Sequence, residues 1–536
     1  MKCLGFVFLW IAFYLPSLAH SGTFEETALG LAQGSYSEKA EIIEALADID
    51  DPRVLDTLVA MLDAKLYYQE AEKRLIIIEE HSDKTFAIDV NSGRELGEID
   101  TDSADKIRIN NRLRGALRPE IALLRLRHKN RDIRLASARD LTKDPDAGMR
   151  PIIAQAREQE TERKVKEALS LALAMIDIQS DDQRSRLDAL DVLASTVEPE
   201  AVGILKRLSA RGESGDYLEA DARVAKEAET KLAIVESRVA LYDFFENIIF
   251  GFSLGSILLL AAIGLAITFG VMGVINMAHG EMIMLGAYTT YAIQQLFPSM
   301  MDWSLLMAIP AAFLVSACAG ILIERLVIRH LYGRALDTLL ATFGISLILQ
   351  QAVRMYSSNN VAVVTPDWLA GFWAVNGAMS LTYNRIYILI FSLIVLLLLA
   401  LLLKKTLVGL QIRAVTQNRA MANSMGIRSS WVDAMTFGLG SGIAGIAGVA
   451  LSQITNVGPN LGQGYIIDSF MVVVFGGVGN LLGTFFGAMT LGVANKLLEP
   501  VTGAVVGKII VLVFIILFIQ WRPRGLFALK GRFVED

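Results

Sequence analysis

The charge of this 536-residue chain is so unevenly spread that it fixes the fold class of half the molecule. Up to about Ser237 the sequence is rich in Glu, Asp, Lys and Arg. From Phe244 to Trp521 these residues almost vanish outside a few short loops. Inside hydrocarbon every backbone N–H and C=O must be satisfied by the protein itself, so such a stretch must form helices or a closed barrel. Its apolar cores lie near 248–272, 276–297, 304–326, 336–356, 385–403, 432–456, 466–494 and 505–521. Each is near or above the roughly 20 residues a helix needs to cross a bilayer. The expected class is an all-α membrane protein with about eight transmembrane or re-entrant helices.

Basic residues favour the cytoplasmic side of a membrane. Arg325, Arg329, His330 and Arg334 mark one such loop, and Lys404, Lys405, Arg413, Arg419 and Arg428 mark a second. The poorly basic stretch from Ser357 to Arg385 is expected outside, and counting back places Phe244 outside as well. Counting forward produces a conflict. Eight full spans put the C-terminus outside, whereas Arg522, Arg524, Lys530 and Arg532 favour the inside. A broken or re-entrant 466–494, punctuated by Gly476, Gly477, Gly479, Gly483 and Gly487, resolves it.

The N-terminus reads as a signal peptide: Lys2, an apolar run from Leu4 to Leu15, and Ser17-Leu18-Ala19 as a cleavage site, with residues 1–19 removed. Residues 20–240 then form an extracytoplasmic domain, and 241–530 the membrane domain. Apolar and Ala positions at three- and four-residue spacing, as in Leu58 to Leu62 and Leu171 to Ala174, suggest degenerate stacked helical pairs of the HEAT type. A β-rich insert at 75–79, 85–90 and 95–99 reads as a small meander. His81 and His128 stand isolated among charges. A net charge of −6 argues against nucleic-acid binding. Cys3 and Cys318 fall in the signal and a membrane helix, so no disulfide is expected, and no Cys/His spacing suits a metal.

Polar residues are costly at membrane depth and mark pathways or partners. Gly270 to Glu281 concentrates them: Asn276, His279 and Glu281 follow a glycine-interrupted break. Asn276 and His279 either cap the broken helix or line a solute path. Glu281 suits the positive end of the next helix. Asn456 and Asn480, with Gln453, are further path candidates. Topology puts the break near the cytoplasmic end of the first two spans, as an inner gate or lower pathway wall. Glu324 and Arg325 read as cytoplasmic surface. Gly442, Gly445 and Gly448 read as a close-packing face. Few charges are evident at mid-membrane.

The loop from Lys404 to Ser430 has room for two short helices and carries Arg413, Gln417, Asn418, Arg419, Met425 and Gly426. This loop, the Asn276-Met277-Ala278-His279-Gly280-Glu281 core, the stretch Val472 to Gly483 and the ending Arg522-Pro523-Arg524-Gly525-Leu526-Phe527 resemble the LivH-like permeases of branched-chain amino acid ABC importers over roughly 245–530. The resemblance implies that the 404–430 loop contacts an ATPase. It implies as partners a LivM-like second permease, two ABC ATPase subunits and a periplasmic substrate-binding protein, in the lipid of a bacterial inner membrane. The exported helical extension is similar to that of the urea-transporting branch, which implies urea as solute. Branched-chain amino acids or short amides are the alternative within transport; a membrane receptor or scaffold that docks partners through its helical domain is the alternative from another class. No cofactor is expected. Gly503 to Lys508 is one residue short of a phosphate-binding loop and lacks its hydroxyl residue, so the chain is expected not to be an enzyme.

Overall fold

A computed structural model of the chain describes residues 24–81, 84–99, 103–143, 145–357 and 360–527. The expected signal peptide, Cys3, Lys530 and Arg532 lie outside these residues. The chain divides into two compact units, Met1–Val235 and Glu236–Asp536.

The first unit opens with α1 (Phe24–Gln33), α2 (Tyr36–Ala47) and α3 (Pro52–Leu62). Each start has a local cause. Ser35 and Glu38 form a reciprocal capping box at α2, and Asp51 accepts from the Arg53 amide ahead of α3, with Pro52 in the first turn. A five-stranded antiparallel sheet follows: β1 (Leu66–Gln69), β2 (Arg74–His81), β3 (Lys84–Asp89), β4 (Glu95–Glu98) and β5 (Asp105–Lys106), in the order β4-β3-β2-β1-β5. The meander foreseen from the sequence is its β2–β4 part. Tyr67 and Tyr68 pair on one side with Ile76 and Leu75 and on the other with Lys106 and Asp105, so the sheet is wider than expected.

Helices α4 (Asn111–Leu126), α5 (Arg131–Lys143), α6 (Arg150–Gln159), α7 (Arg163–Asp177), α8 (Gln183–Ser195) and α9 (Pro199–Leu208) then pack mainly on near neighbours in sequence. One core gathers Leu31, Leu58, Leu75, Leu113 and Leu117, and a second Ile153, Val165 and Leu169.

Helix α10 (Ala222–Met272) begins in the first unit and ends in the second. It is followed by α11 (His279–Leu296), α12 (Met301–Leu326), α13 (Ala335–Tyr356), a hairpin of β6 (Phe372–Ala374) and β7 (Ser380–Thr382), and α14 (Tyr383–Lys405). Then come α15 (Leu407–Gln417), α16 (Arg419–Ser424), α17 (Ser429–Ser452), α18 (Leu461–Gly476), α19 (Leu481–Thr502) and α20 (Ala504–Trp521). Seven of the described helices are long and apolar enough to cross a membrane: α10, α12 with its flanking turns, α13, α14, α17, α19 and α20. The chain is an all-α membrane protein with a small sheet.

Helix α17 is buried along nearly its whole length because its neighbours approach on glycine. A Cβ placed on Gly286 of α11 would lie 2.0 Å from the Gly445 carbonyl oxygen of α17, and one on Gly445 would lie 2.6 Å from the Ala312 carbonyl of α12. Only glycine permits such backbone contact, which is how helices gain dispersion energy where no water drives them together. Large apolar side chains point outward instead, among them Leu347 and Ile348 of α13, Leu397 of α14 and Phe514 of α20.

The 466–494 stretch is two helices, α18 and α19, joined by the turn 477–480. Amides of Leu526 and Phe527 donate to Phe475 and Gly476 at this turn (2.9 and 3.1 Å). A Cβ on Gly270 would lie 2.6 Å from Gly479 Cα. Val271 packs on the cluster Ile412, Val415, Ala422 and Val432. The ends of α10 and α20 thus share one end of the unit with α15 and α16, and the span-count conflict disappears.

Candidate functional site

The break after α10 starts at Gly273, whose φ of +66° ends the helix in a conformation that costs other residues. The chain then turns back into the bundle. His279, at the start of α11, sits with its ring Nε2 2.9 Å from the carbonyl of Ala261. A carbonyl only accepts, so Nε2 carries the hydrogen. Ala261 lies about 16 Å back along α10 from Met272. The expected inner-end position is therefore corrected: the segment climbs to mid-helix depth and α11 begins there.

All three polar residues of the segment are buried: Asn276 and Glu281 are 1% exposed and His279 0%. Asn276 Oδ1 accepts from the Ala278 amide (3.0 Å), and the Met277 amide donates to Thr342 Oγ1 of α13 (3.1 Å). Glu281 stands in the first turn of α11, as expected, and its hydrogen bonds go to a neighbouring helix. Its Oε1 accepts from Ser346 Oγ (2.9 Å) and Gln350 Nε2 (2.7 Å), both on α13. Asn276 Nδ2, His279 Nδ1 and Glu281 Oε2 find no partner among the described residues.

The other two path candidates stand apart. Asn480 caps α19, its Oδ1 accepting from the Leu482 and Gly483 amides. Asn456 is exposed in the connection after α17, beside the bridge between Val361 and Val457. The sequence analysis missed Thr342, Ser346 and Gln350. Their signal was present as polar residues four apart on one helix face, hidden in a run apolar on average. No local pattern reveals the ion pair between Lys508 Nζ of α20 and Asp468 Oδ2 of α18 (3.0 Å), forty positions apart, in which the carboxylate is buried and the lysine half exposed.

The cytoplasmic candidates form a separate surface. Asn418 caps α16 by accepting from the Met421 amide (2.9 Å). The Arg413 guanidinium turns back to the Leu403 carbonyl at the end of α14, a favourable place for a cation. Arg419 Nη2 lies 2.5 Å from Asp433 Oδ2 of α17 and its guanidinium covers the Tyr332 ring at 4.8 Å. The Tyr332 hydroxyl donates to Glu324 Oε1 (2.9 Å), and burial pushes its ionisation well above the usual range. Glu324 is 1% exposed, so it is a buried acceptor and not the surface group expected. Met425 and Gly426 line a groove of about 620 Å³ with Val408, Gln411, Arg428 and Trp431. Gln417 and Met425 are exposed. Among the described residues no cluster of His, Cys, Asp or Glu suits a metal ion.

The family profile described as "Branched-chain amino acid transport system / permease component" matches residues 247–519. The chain belongs to this permease family. The permease protein BraD of a high-affinity branched-chain amino acid transport system in Pseudomonas aeruginosa is 31% identical over 297 residues, spanning 53% of this chain and 96% of that protein. LivH of Salmonella typhimurium, named likewise, is 30% identical across 53% of this chain and 95% of its own length. A probable LivH of Methanocaldococcus jannaschii is 29% identical across 51% and 88%. No solved structure matches the chain. These relatives are named as permease proteins of branched-chain amino acid transport. The matched region of this permease holds both the helix break and the groove, and the first unit lies beyond it.

Proposed function

We propose that the chain is the permease subunit of an ATP-driven importer whose solute is urea. One observation carries the pathway part: the break after Gly273 brings Asn276, His279 and Glu281 to mid-helix depth, with α11 starting there. A discontinuous helix of this kind offers free backbone groups and side chains to a small polar solute where an intact one offers neither. Urea is neutral and rich in N–H donors, and asks for fixed acceptors such as Glu281 rather than an ion pair. The extension ahead of the family region also supports urea, since the relatives BraD and LivH are almost fully spanned without it. The printed names of those relatives favour a second solute, a branched-chain amino acid.

The groove at Met425, Gly426 and Trp431 and the helices α15 and α16 suit an ATPase subunit, with Arg419 passing its movement to α12 and α17 through Asp433, Tyr332 and Glu324. A LivM-like second permease, two ATPases and a periplasmic binding protein complete the assembly in the bacterial inner membrane. The basic residues gathered around the 272 end of α10 favour that end inside, with residues 20–240 in the periplasm after removal of 1–19. Uptake of labelled urea into vesicles holding the assembled transporter tests this reading. Uptake that requires ATP and the binding protein is expected; uptake without ATP, or of leucine but not urea, refutes it.

A further inference from the structure

The fully buried side chains of helix α13 are all polar, while Ile345 and Leu349 pack half-buried beside them. Thr338, Thr342, Ser346 and Gln350 are its buried residues, spaced by four and so stacked on one face. Leu340, Phe343, Leu347 and Ile348, on its other faces, are exposed. A helix that joined a bundle for packing alone would turn the other way round in water, and in lipid would present small or apolar residues to its neighbours. Its main packing partner is α11, and it meets the broken segment through hydrogen bonds: Thr342 to the Met277 amide, Ser346 and Gln350 to Glu281.

Two of those bonds, from Ser346 and Gln350, converge on one oxygen of Glu281. Oε1 takes two donors, while Oε2 is buried and unpartnered. As an acceptor, Oε2 asks for a donor. Asn276 Nδ2, equally buried and unpartnered, asks for an acceptor. The N–H groups of an amide suit the first and its carbonyl oxygen suits the second.

We propose that Glu281 is the solute-contacting acceptor of this permease and that it takes the N–H groups of a small amide, with Ser346 and Gln350 of α13 as positioning residues. The proposal rests on the importer reading above and deepens it. A hydrogen bond to a charged group of this kind is ample for a tenfold change in affinity.

The test uses the assembled transporter in proteoliposomes. Glu281→Gln keeps the shape and replaces one acceptor oxygen by a donor. The half-saturating urea concentration is expected to rise at least tenfold, with a smaller change in maximal rate and normal copurification of the partner subunits. Gln350→Leu is expected to raise half-saturation in the same direction by less. Independently, Ser346→Cys in a Cys3→Ser, Cys318→Ser background is expected to react with a small cationic thiol reagent during turnover, and urea is expected to protect it. Leu347→Cys on the outward face is the reference for unprotected labelling. Urea uptake with wild-type half-saturation in Glu281→Gln, or a Ser346→Cys that urea never protects while uptake proceeds, overturns the inference and leaves the importer reading standing. Protection by leucine and not by urea overturns urea as the solute and keeps the site. If Glu281→Gln fails to assemble, the protection experiment decides alone.

Discussion

Substituting Gly286 by alanine adds one methyl group where α11 crosses α17, and the structure sets the consequence. The new Cβ would lie 2.0 Å from the Gly445 carbonyl oxygen and 2.6 Å from its carbon and Cα. All three are backbone atoms, so no rotamer change relieves the overlap. Restoring an ordinary contact near 3.4 Å requires the two helices to part by about 1.4 Å. Overpacking of this size costs about 1–3 kcal/mol. Gly344 on α13 supplies the control, because a Cβ there meets nothing within 4 Å. Gly344→Ala removes backbone freedom from a half-buried helix interior with open space beside it and should stabilise by up to about 1 kcal/mol. The two variants make the same chemical change, yet should act in opposite directions and differ by about 1–4 kcal/mol. Thermal unfolding of the purified transporter in detergent, followed by tryptophan fluorescence, measures this. A Gly286→Ala protein that melts with or above Gly344→Ala would refute the claim that glycine-to-glycine crossing holds α17 in place.

Three further outcomes are expected. Arg413→Glu sets a negative charge against the carbonyl end of α14, which costs about 0.3–1 kcal/mol locally, and should impair ATPase association or coupling while membrane insertion stays normal; normal solute-stimulated ATP hydrolysis refutes it. Asn276→Leu loses the bond to the Ala278 amide and should abolish uptake more than it lowers the melting temperature; wild-type uptake kinetics would leave Asn276 a structural role at most. In the first unit, hydrogen bonds from Arg134 hold Glu160 below the usual carboxylate range. A carboxylate lowered in the folded state stabilises fully above its unfolded value and loses that contribution as pH falls through the folded one. Hydrogen exchange in α5 and α6 of the full chain should therefore speed up as pH drops below about 4, beyond the intrinsic pH dependence, and Arg134→Ala should remove that change at a cost on the order of 1 kcal/mol near neutral pH.

The spans were legible because an apolar run long enough to cross a bilayer has few alternatives. The two helices of the 404–430 loop were legible for a similar reason, Thr406 and Asn418 each standing as a cap before a short amphipathic segment. The turn between α18 and α19 showed as clustered glycine. Strands β1 and β5 did not show, since four and two residues are too few for an alternating pattern to stand out. Helix α11 starts three positions later than the apolar run, because Asn276 and Gly273 shape a turn that hydropathy ignores. The depth of His279 could not be read at all: it depends on a bond to Ala261, eighteen residues away on another helix. The polar face of α13 was legible in spacing and was overlooked in the average.

The tie between the chain's last described residues and the 477–480 turn has a consequence for how the protein is made. Leu526 and Phe527 donate to the carbonyls of Phe475 and Gly476, and Asn480 Nδ2 donates to the Phe527 carbonyl. The α18–α19 connection is thus finished by residues synthesised about fifty positions later. While the nascent chain emerges, those carbonyls must wait for this later segment to leave the ribosome. A chain stopped before Leu526 would contain every membrane helix and still present an open seam to the cell's proteases.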